Sequence, residues 1–495
     1  MSSRTPPDER QAPAFTCLCQ SLPFLRLNAL IEYKFSRRAF LLGAAAAAGT
    51  AALWRFGLKD ASAGIPDAPT QPIAFTNVKL FDGKSAQLIG GRRILVEGNK
   101  IKDIQPAASP VAEGVTVIDC GGRTLMPGLI DAHWHAMMAA IPMLDLLTAD
   151  VGYINLVAAE EARRTLLRGF TSIRDLAGPS FGLKRAIDSG LTPGPRIWPS
   201  GAMISQTSGH GDYRLPYEVP AQLDAPLSHG EAIGGGMIAD GVDMVLKRVR
   251  EQLMLGASQI KLAAGGGVAS NFDPIDVSQY TEAEFRAAVD CAENWGTYVT
   301  VHAYTSRAIQ TAVRGGVRCI EHGQLMDKDT AQILADKGIW LSLQPFLDNE
   351  FANRYPEGSA NRAKQLSVFA GTDTAYGFAK KYKLKTAWGT DILFQPTMTR
   401  NQGAILTTMS RWYSNAEILI MATSANAELL AMSGPRSPYP DKVGVIEPKA
   451  YADLLLIDGD PISDIKLIAD PDRNLKIIMK DGRIYKNTLA DSGRP

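Results

Sequence analysis

The stretch Pro127-Gly128-Leu129-Ile130-Asp131-Ala132-His133-Trp134-His135 carries an apolar run directly into two histidines. A short apolar run bounded by glycine or proline reads as a strand buried on both faces, the pattern of a parallel sheet. Side chains at i and i+2 of a strand point the same way, so His133 and His135 can reach one metal ion together. The run therefore predicts a parallel strand, Leu125–His133, that ends in metal ligands.

Seven further runs of the same kind follow: Phe170–Asp175, Arg196–Ile204, Ser258–Ala263, Thr297–His302, Arg318–His322, Ile339–Gln344 and Thr386–Asp391. The segments between them read as helices. Two open with a reciprocal capping pattern, Thr281-Glu282-Ala283-Glu284 and Ser414-Asn415-Ala416-Glu417. Eight strands alternating with helices predict an α/β fold, a (β/α)8 TIM barrel over residues 125–436. The flanks, 64–124 and 437–495, hold short strands separated by turns such as Asp82-Gly83 and Asp481-Gly482. Neither flank has enough strands to bury a core alone, so the two are expected to form one small composite β domain.

Composition fits an enzyme or a large binding protein. The chain has 495 residues, 45% hydrophobic and 21% charged, with 52 basic against 51 acidic side chains. That balance argues against a nucleic-acid partner, which selects for a basic excess. Gly234-Gly235-Gly236 and Gly265-Gly266-Gly267 read as barrel loops without the spacing of a phosphate loop.

Residues 1–63 read as an export segment. Ser36-Arg37-Arg38-Ala39-Phe40-Leu41-Leu42 precedes an alanine-rich stretch to Trp54, and Ala61-Ser62-Ala63 offers a cleavage site. The apolar part is about 15 residues, short of the ~20 needed to span a bilayer, so no stable membrane span is expected after cleavage. Export to the periplasm by the twin-arginine route is the expected localisation. Cleavage would take the net charge from +1 to about −3 and leave Cys120, Cys291 and Cys319, an odd number with no evident pairing.

Four of the six histidines, His133, His135, His302 and His322, fall at strand ends, with Asp391 ending the last strand and Lys261 near the end of the fourth. All lie toward the face where barrels carry their chemistry. Taken singly, each has a bland alternative: a hydrogen-bonded core histidine, a turn aspartate, a lysine reaching solvent. Their coincidence at one face favours a site. His210, in Ser208-Gly209-His210-Gly211-Asp212, and Tyr304, two residues past His302, are candidate substrate contacts, with packing as the alternative for each. Arg174-Asp175 fits an internal ion pair as well as catalysis.

Pro127–His135, Lys261, His302, Glu321-His322-Gly323 and Gly389-Thr390-Asp391 resemble the metal site of the amidohydrolase superfamily. Asn77–Gly83, Val443–Pro448, Ala452-Asp453-Leu454 and Asp481-Gly482-Arg483 resemble its flanking β segments. Intervals of 41 residues from Lys261 to His302, and 20 to His322, resemble the branch of Xaa-Pro dipeptidases and ochratoxinase.

The resemblance implies a binuclear hydrolase. His133, His135 and Asp391 would hold the more buried metal, His302 and His322 the other, and Lys261, carboxylated by CO2, would bridge them. Zinc is the default identity for the two divalent ions. The implied reaction is cleavage of an amide, a peptide or N-acyl amino acid, by metal-bound hydroxide. Asp391 would shuttle the proton, and an amino acid would leave. The expected partner is a small molecule or short peptide, and a homo-oligomer is expected. Two other enzymatic readings are a cyclic amide or lactone hydrolase and a mononuclear deaminase. The deaminase reading is disfavoured by Lys261 and by Glu321, expected to face away from the barrel interior because it directly precedes a ligand. A reading of another class is an exported metal- or substrate-binding protein without turnover.

Overall fold

Every residue of the strand Leu129–Trp134 is buried, as cover on both faces requires. In the computed structural model, which describes residues 65–219, 225–352 and 354–489, this strand pairs in parallel with Phe170–Asp175, which pairs in turn with Arg196–Pro199. A second parallel series runs Met203–Ser205, Ile260–Ala263, Val299–Thr305, Cys319–Leu325, Trp340–Leu343 and Thr386–Trp388. Together with the intervening helices these strands form a (β/α)8 TIM barrel carrying an additional β domain. The described residues all belong to one compact unit, Gly64–Pro495. The expected export segment, with its twin arginines and cleavage site, lies outside the described residues.

Three strands differ from the sequence expectation, each for a local reason. The expected strand Arg196–Ile204 is broken at Ser200–Ala202. Its first half pairs with Phe170–Asp175 and its second with Ile260–Ala263 through Ile204 and Leu262, so one strand serves both series. The expected strand Leu125–His133 is two strands that meet at Pro127-Gly128. Thr124–Pro127 belongs to the other sheet, and proline's missing N–H ends the ladder there. The expected strand Thr386–Asp391 stops at Trp388, which leaves Asp391 in a loop at φ 56°.

The last barrel strand meets the first through hydrogen bonds outside any ladder. The Asp391 amide donates to the His133 carbonyl at 2.8 Å. The Asn426 side chain donates to the carbonyls of Ile130 and Trp388, each at 2.8 Å, and accepts from the Trp388 amide at 3.0 Å. A Cβ on Gly389 would sit 2.4 Å from the His133 nitrogen, so this close approach requires glycine.

Strands from both flanks lie in one eight-stranded sheet. Arg483–Asn487, Leu475–Lys480 and Leu454–Ile457 come from the C-terminal side, followed by Thr124–Pro127, Ile73–Leu80, Ile89–Glu97 and Lys100–Pro106, with Thr116–Asp119 beside Ile73–Leu80. Phe75, Ile94, Ile101, Leu456 and Ile477 are fully buried in its core. Arg196 ties this sheet to the barrel, donating to Asp453 at 3.0 Å and to Asp481 at 2.7 Å.

Both predicted caps form. Thr281 and Glu284 bond reciprocally at the start of Glu282–Asn294, and Ser414 and Glu417 do the same at Asn415–Ile420. Among the described residues no helix is long and apolar enough to cross a membrane.

Candidate active site

The C-terminal ends of the barrel strands converge on the Asp391 carboxylate. His133 Nε2 and His135 Nε2 approach the same oxygen, Asp391 Oδ1, at 3.0 and 2.9 Å. His133, His322 and Asp391 offer ligand atoms that all lie within 4.8 Å of one another, a candidate metal site. His302 follows at 4.6 Å between its ring centre and that of His322, and His210 stacks on His302 at 4.0 Å. Lys261 is 2% exposed and lines the same cavity. The eight residues expected from the sequence, His133, His135, His210, Lys261, His302, Tyr304, His322 and Asp391, all line it.

Backbone strain helps bring these groups together. His322 sits at φ 78° and Asp391 at φ 56°, conformations that cost a non-glycine residue about 1–3 kcal/mol and cluster at functional sites. The turn at His322 breaks the alternation of Cys319–Leu325, so Glu321 and His322 both reach the barrel interior. This corrects the expectation that Glu321 faces away. Glu321 is fully buried, and its Oε2 accepts from His133 Nδ1 at 2.9 Å. Its carboxylate also accepts two bonds from Arg174 Nη2, at 2.7 and 2.9 Å, and one from the Thr300 hydroxyl. Arg174 is therefore the internal cation of this ion pair. Glu321 is engaged as an orienting group and has no oxygen left for acid–base work of the deaminase kind.

The electrostatics suit a cation. Burial pushes the His302 and His322 imidazoles well below their usual range, so both are neutral and hold a lone pair. Burial acts the same way on His135. On His133 burial is outweighed by the Asp391 and Glu321 carboxylates, which hold it above the usual value. Asp391 would be raised by burial, but the facing histidines hold it well below the carboxylate range, as an anion. Burial lowers the Lys261 ammonium to about 8.

These residues fit a metal. His135 Nδ1 is buried without a protein partner. His133 and His322 have their Nδ1 atoms engaged by Glu321 and by Gln344, the latter at 2.7 Å, which orients both rings. Imidazoles and a carboxylate converging in a buried pocket are a donor set for a divalent cation of the zinc type.

The barrel region carries the match to known proteins. Residues 124–485 match the family model described as "Amidohydrolase family". The chain belongs to the amidohydrolase family.

An ochratoxinase from Aspergillus niger is 31% identical over 372 residues, 73% of this chain and 75% of that protein. A solved amidohydrolase structure superposes with a TM-score of 0.76 at 37% identity, covering 84% of this chain and 100% of the other. A prolidase crystallised with N-methylphosphonate-L-proline gives 0.76 at 33% identity, with the same coverage. The chain is thus a member of the amidohydrolase family, similar to ochratoxinase and to prolidase.

The cavity encloses about 1140 Å³ of non-protein space, open mouth included. Its outer wall comes from a region whose specificity the sequence leaves unreadable. Phe346, Phe351 and Tyr355, from the segment after the seventh strand, face it together with Val368 and Phe369 of the helix Ala360–Lys381. Four aromatics between Phe346 and Phe369 were the available signal, but nothing in one dimension aims a long loop at a barrel mouth. Glu321, Gln344 and Asn426 were missed for a similar reason, since their roles depend on partners 188, 22 and 296 residues away.

Proposed function

We propose that the chain is a binuclear metal-dependent amidohydrolase that cleaves a peptide or N-acyl amino acid and releases an amino acid. The observation that carries this reading is the approach of His133 and His135 to one oxygen of Asp391, beside a buried Lys261, at the floor of an aromatic-walled cavity. His133, His135, Asp391, His302 and His322 would hold two divalent ions, with zinc the first candidate. When bound, these ions supply Lewis acidity toward a water and toward the scissile carbonyl.

The protein's own groups do the rest. Lys261, with its ammonium lowered to about 8, keeps a neutral fraction whose lone pair can add to CO2. An N–C bond forms as one C=O π bond of CO2 opens, a proton leaves, and the resulting carbamate would offer two anionic oxygens as further metal ligands. Asp391, held as an anion, accepts the proton of the attacking water and passes it to the amide nitrogen as the C–N bond breaks. Tyr304 has its hydroxyl pushed well above its usual value by burial, so it stays protonated as a donor for the developing oxyanion. His210, lowered to about 4 by burial, is a neutral imidazole at the same mouth. The apolar wall of Phe346, Phe351, Tyr355, Val368 and Phe369 suits a large uncharged side chain on the substrate.

The test is amine release from dipeptides and N-acyl amino acids carrying proline, phenylalanine or arginine at the C-terminal position, with zinc, bicarbonate and a chelated control. Chelator-sensitive turnover, strongest with phenylalanine, is expected. A metal-loaded protein that leaves every member intact would overturn the amide reading and favour lactones or cyclic amides. The Arg37-Arg38 segment supports export to the periplasm. Cell fractionation of an Arg37→Lys, Arg38→Lys double variant tests it, with retention in the cytoplasm as the expected result.

A further inference from the structure

Gly265-Gly266-Gly267, which has no phosphate-loop spacing, packs against the active-site histidines instead. A Cβ on Gly267 would lie 1.8 Å from His210 Nδ1, so the glycine backbone lies directly against that imidazole. The same ring stacks on His302, and the Gly266 carbonyl accepts from His302 Nε2 at 3.1 Å. Further along the same loop, Ser270 Oγ bonds His210 Nδ1 at 2.8 Å, and Asp273 Oδ2 lies 3.8 Å from that nitrogen. Asp273 also accepts from the Gly267 amide at 2.8 Å. The loop therefore packs against the His210 ring and holds its Nδ1 through Ser270.

The loop is itself held from across the barrel mouth. Lys364, on the helix Ala360–Lys381, donates to the carbonyls of Gly267, Ser270 and Asp273 at 3.0, 2.9 and 2.7 Å. Those three acceptors satisfy the three donors of an ammonium. One turn earlier, Asn361 donates to the Val268 carbonyl at 2.7 Å. Val368 and Phe369, on the same helix, form part of the cavity wall.

We propose that Lys364 is a positioning residue: through the Gly265–Asp273 loop it fixes the His210 imidazole for contact with substrate. This inference rests on the hydrolase reading only where turnover is the readout. Lys364 touches no reacting atom, and its effect passes through Ser270 and the Gly267 backbone. The helix that walls the substrate pocket is thereby tied to a polar group at the metal site.

Lys364→Met removes all three donors while keeping the apolar stem. It is expected to lower kcat/KM by about 10–100-fold, the cost of a displacement of about 1 Å at an oriented group. Zinc content should match the wild type. His210→Asn should lose a comparable factor, and the double variant should be no slower than His210→Asn alone. Mass-spectrometric exchange of the imidazole C2 protons reads His210 directly, and exchange there should accelerate in Lys364→Met while His133 and His135 keep their rates. If Lys364→Met fails to fold, Ser270→Ala carries the same cycle, because Ser270 makes the loop's hydrogen bond to the ring. Losses that multiply in the double variant, or a His210 exchange rate unchanged by Lys364→Met, overturn the proposal. Were the wild type to cleave no amide, the amide reading would fall and the exchange measurement would still decide the positioning role.

Discussion

His133 and Asp391 are joined twice. The Asp391 amide donates to the His133 carbonyl at 2.8 Å, and their side chains meet at 3.0 Å between Nε2 and Oδ1. The first contact closes the barrel between its last and first strands, and the second forms the floor of the candidate site. The same two residues therefore serve barrel closure and the candidate site, and a conservative substitution is needed to probe one without the other.

Asp391→Asn is such a change. It keeps the backbone bond and the side-chain volume and removes the carboxylate proposed to accept and return the proton. Turnover is expected to fall by about 10²–10⁴-fold with little change in melting temperature. Stopped assays beside circular dichroism check it, and retained turnover at full metal loading would remove Asp391 as the proton shuttle.

Metal removal should act on stability as well as activity. A cation bound only by the folded state stabilises it by mass action. Dialysis against a chelator is expected to abolish turnover and lower the melting temperature, with zinc restoring both. Lys261→Met should bind fewer than two zinc ions per chain by elemental analysis while keeping its circular dichroism spectrum.

The Arg174–Glu321 pair behind His133 is fully buried on both sides. Removing one partner strands the other as an unpaired buried charge, which costs about 3–5 kcal/mol. Arg174→Met is therefore expected to melt well below the wild type. Glu321→Gln leaves the Arg174 cation unpaired in the same way and should also melt below the wild type, and having lost the charge facing His133 it should bind zinc more weakly.

Asp175 supplies a pH signature. It accepts from the Ala136 amide at 2.7 Å and from the Ser180 hydroxyl at 2.6 Å, yet burial raises it from 3.8 to about 7. The folded state then holds this proton more tightly than the unfolded state. Its contribution to stability is full below about pH 4 and is lost as pH rises to about 7. Asp175→Asn removes that slope, so the melting-temperature difference, variant minus wild type, should grow more positive from pH 5 to pH 8. A difference independent of pH would show that Asp175 is ionised throughout.

The aromatic wall sets the last expectation. Truncating a side chain that buries apolar substrate surface loses about 1.5–3 kcal/mol. Phe369→Ala should raise KM for a phenylalanine-terminated substrate by about tenfold or more and change kcat little. Equal effects on a substrate ending in alanine would mean that Phe369 supports the fold and not the side-chain pocket.

Local chemistry made much of this protein legible. The two-residue periodicity of a strand puts His133 and His135 on one side, the capping chemistry of Thr281 and Ser414 starts helices, and buried apolar runs mark the barrel strands. These effects act over a few residues and leave a trace in one dimension. The errors came where a strand changes sheet or a backbone turns against its periodicity: Pro127-Gly128, the break at Ser200–Ala202, and His322 at φ 78°, which brings Glu321 inward.

By itself, then, the sequence determined the barrel, its composite flanks and the set of candidate metal-binding side chains, because periodicity and residue type suffice for those. Only the tertiary structure decided which groups orient them. Glu321 behind His133, Gln344 behind His322, Asn426 between the first and last strands and Lys364 behind the Gly265–Asp273 loop each act on a partner distant in sequence. A hydrogen bond of about 3 Å between distant segments leaves no periodic signature, since its energy depends on an approach that only the closed barrel brings about.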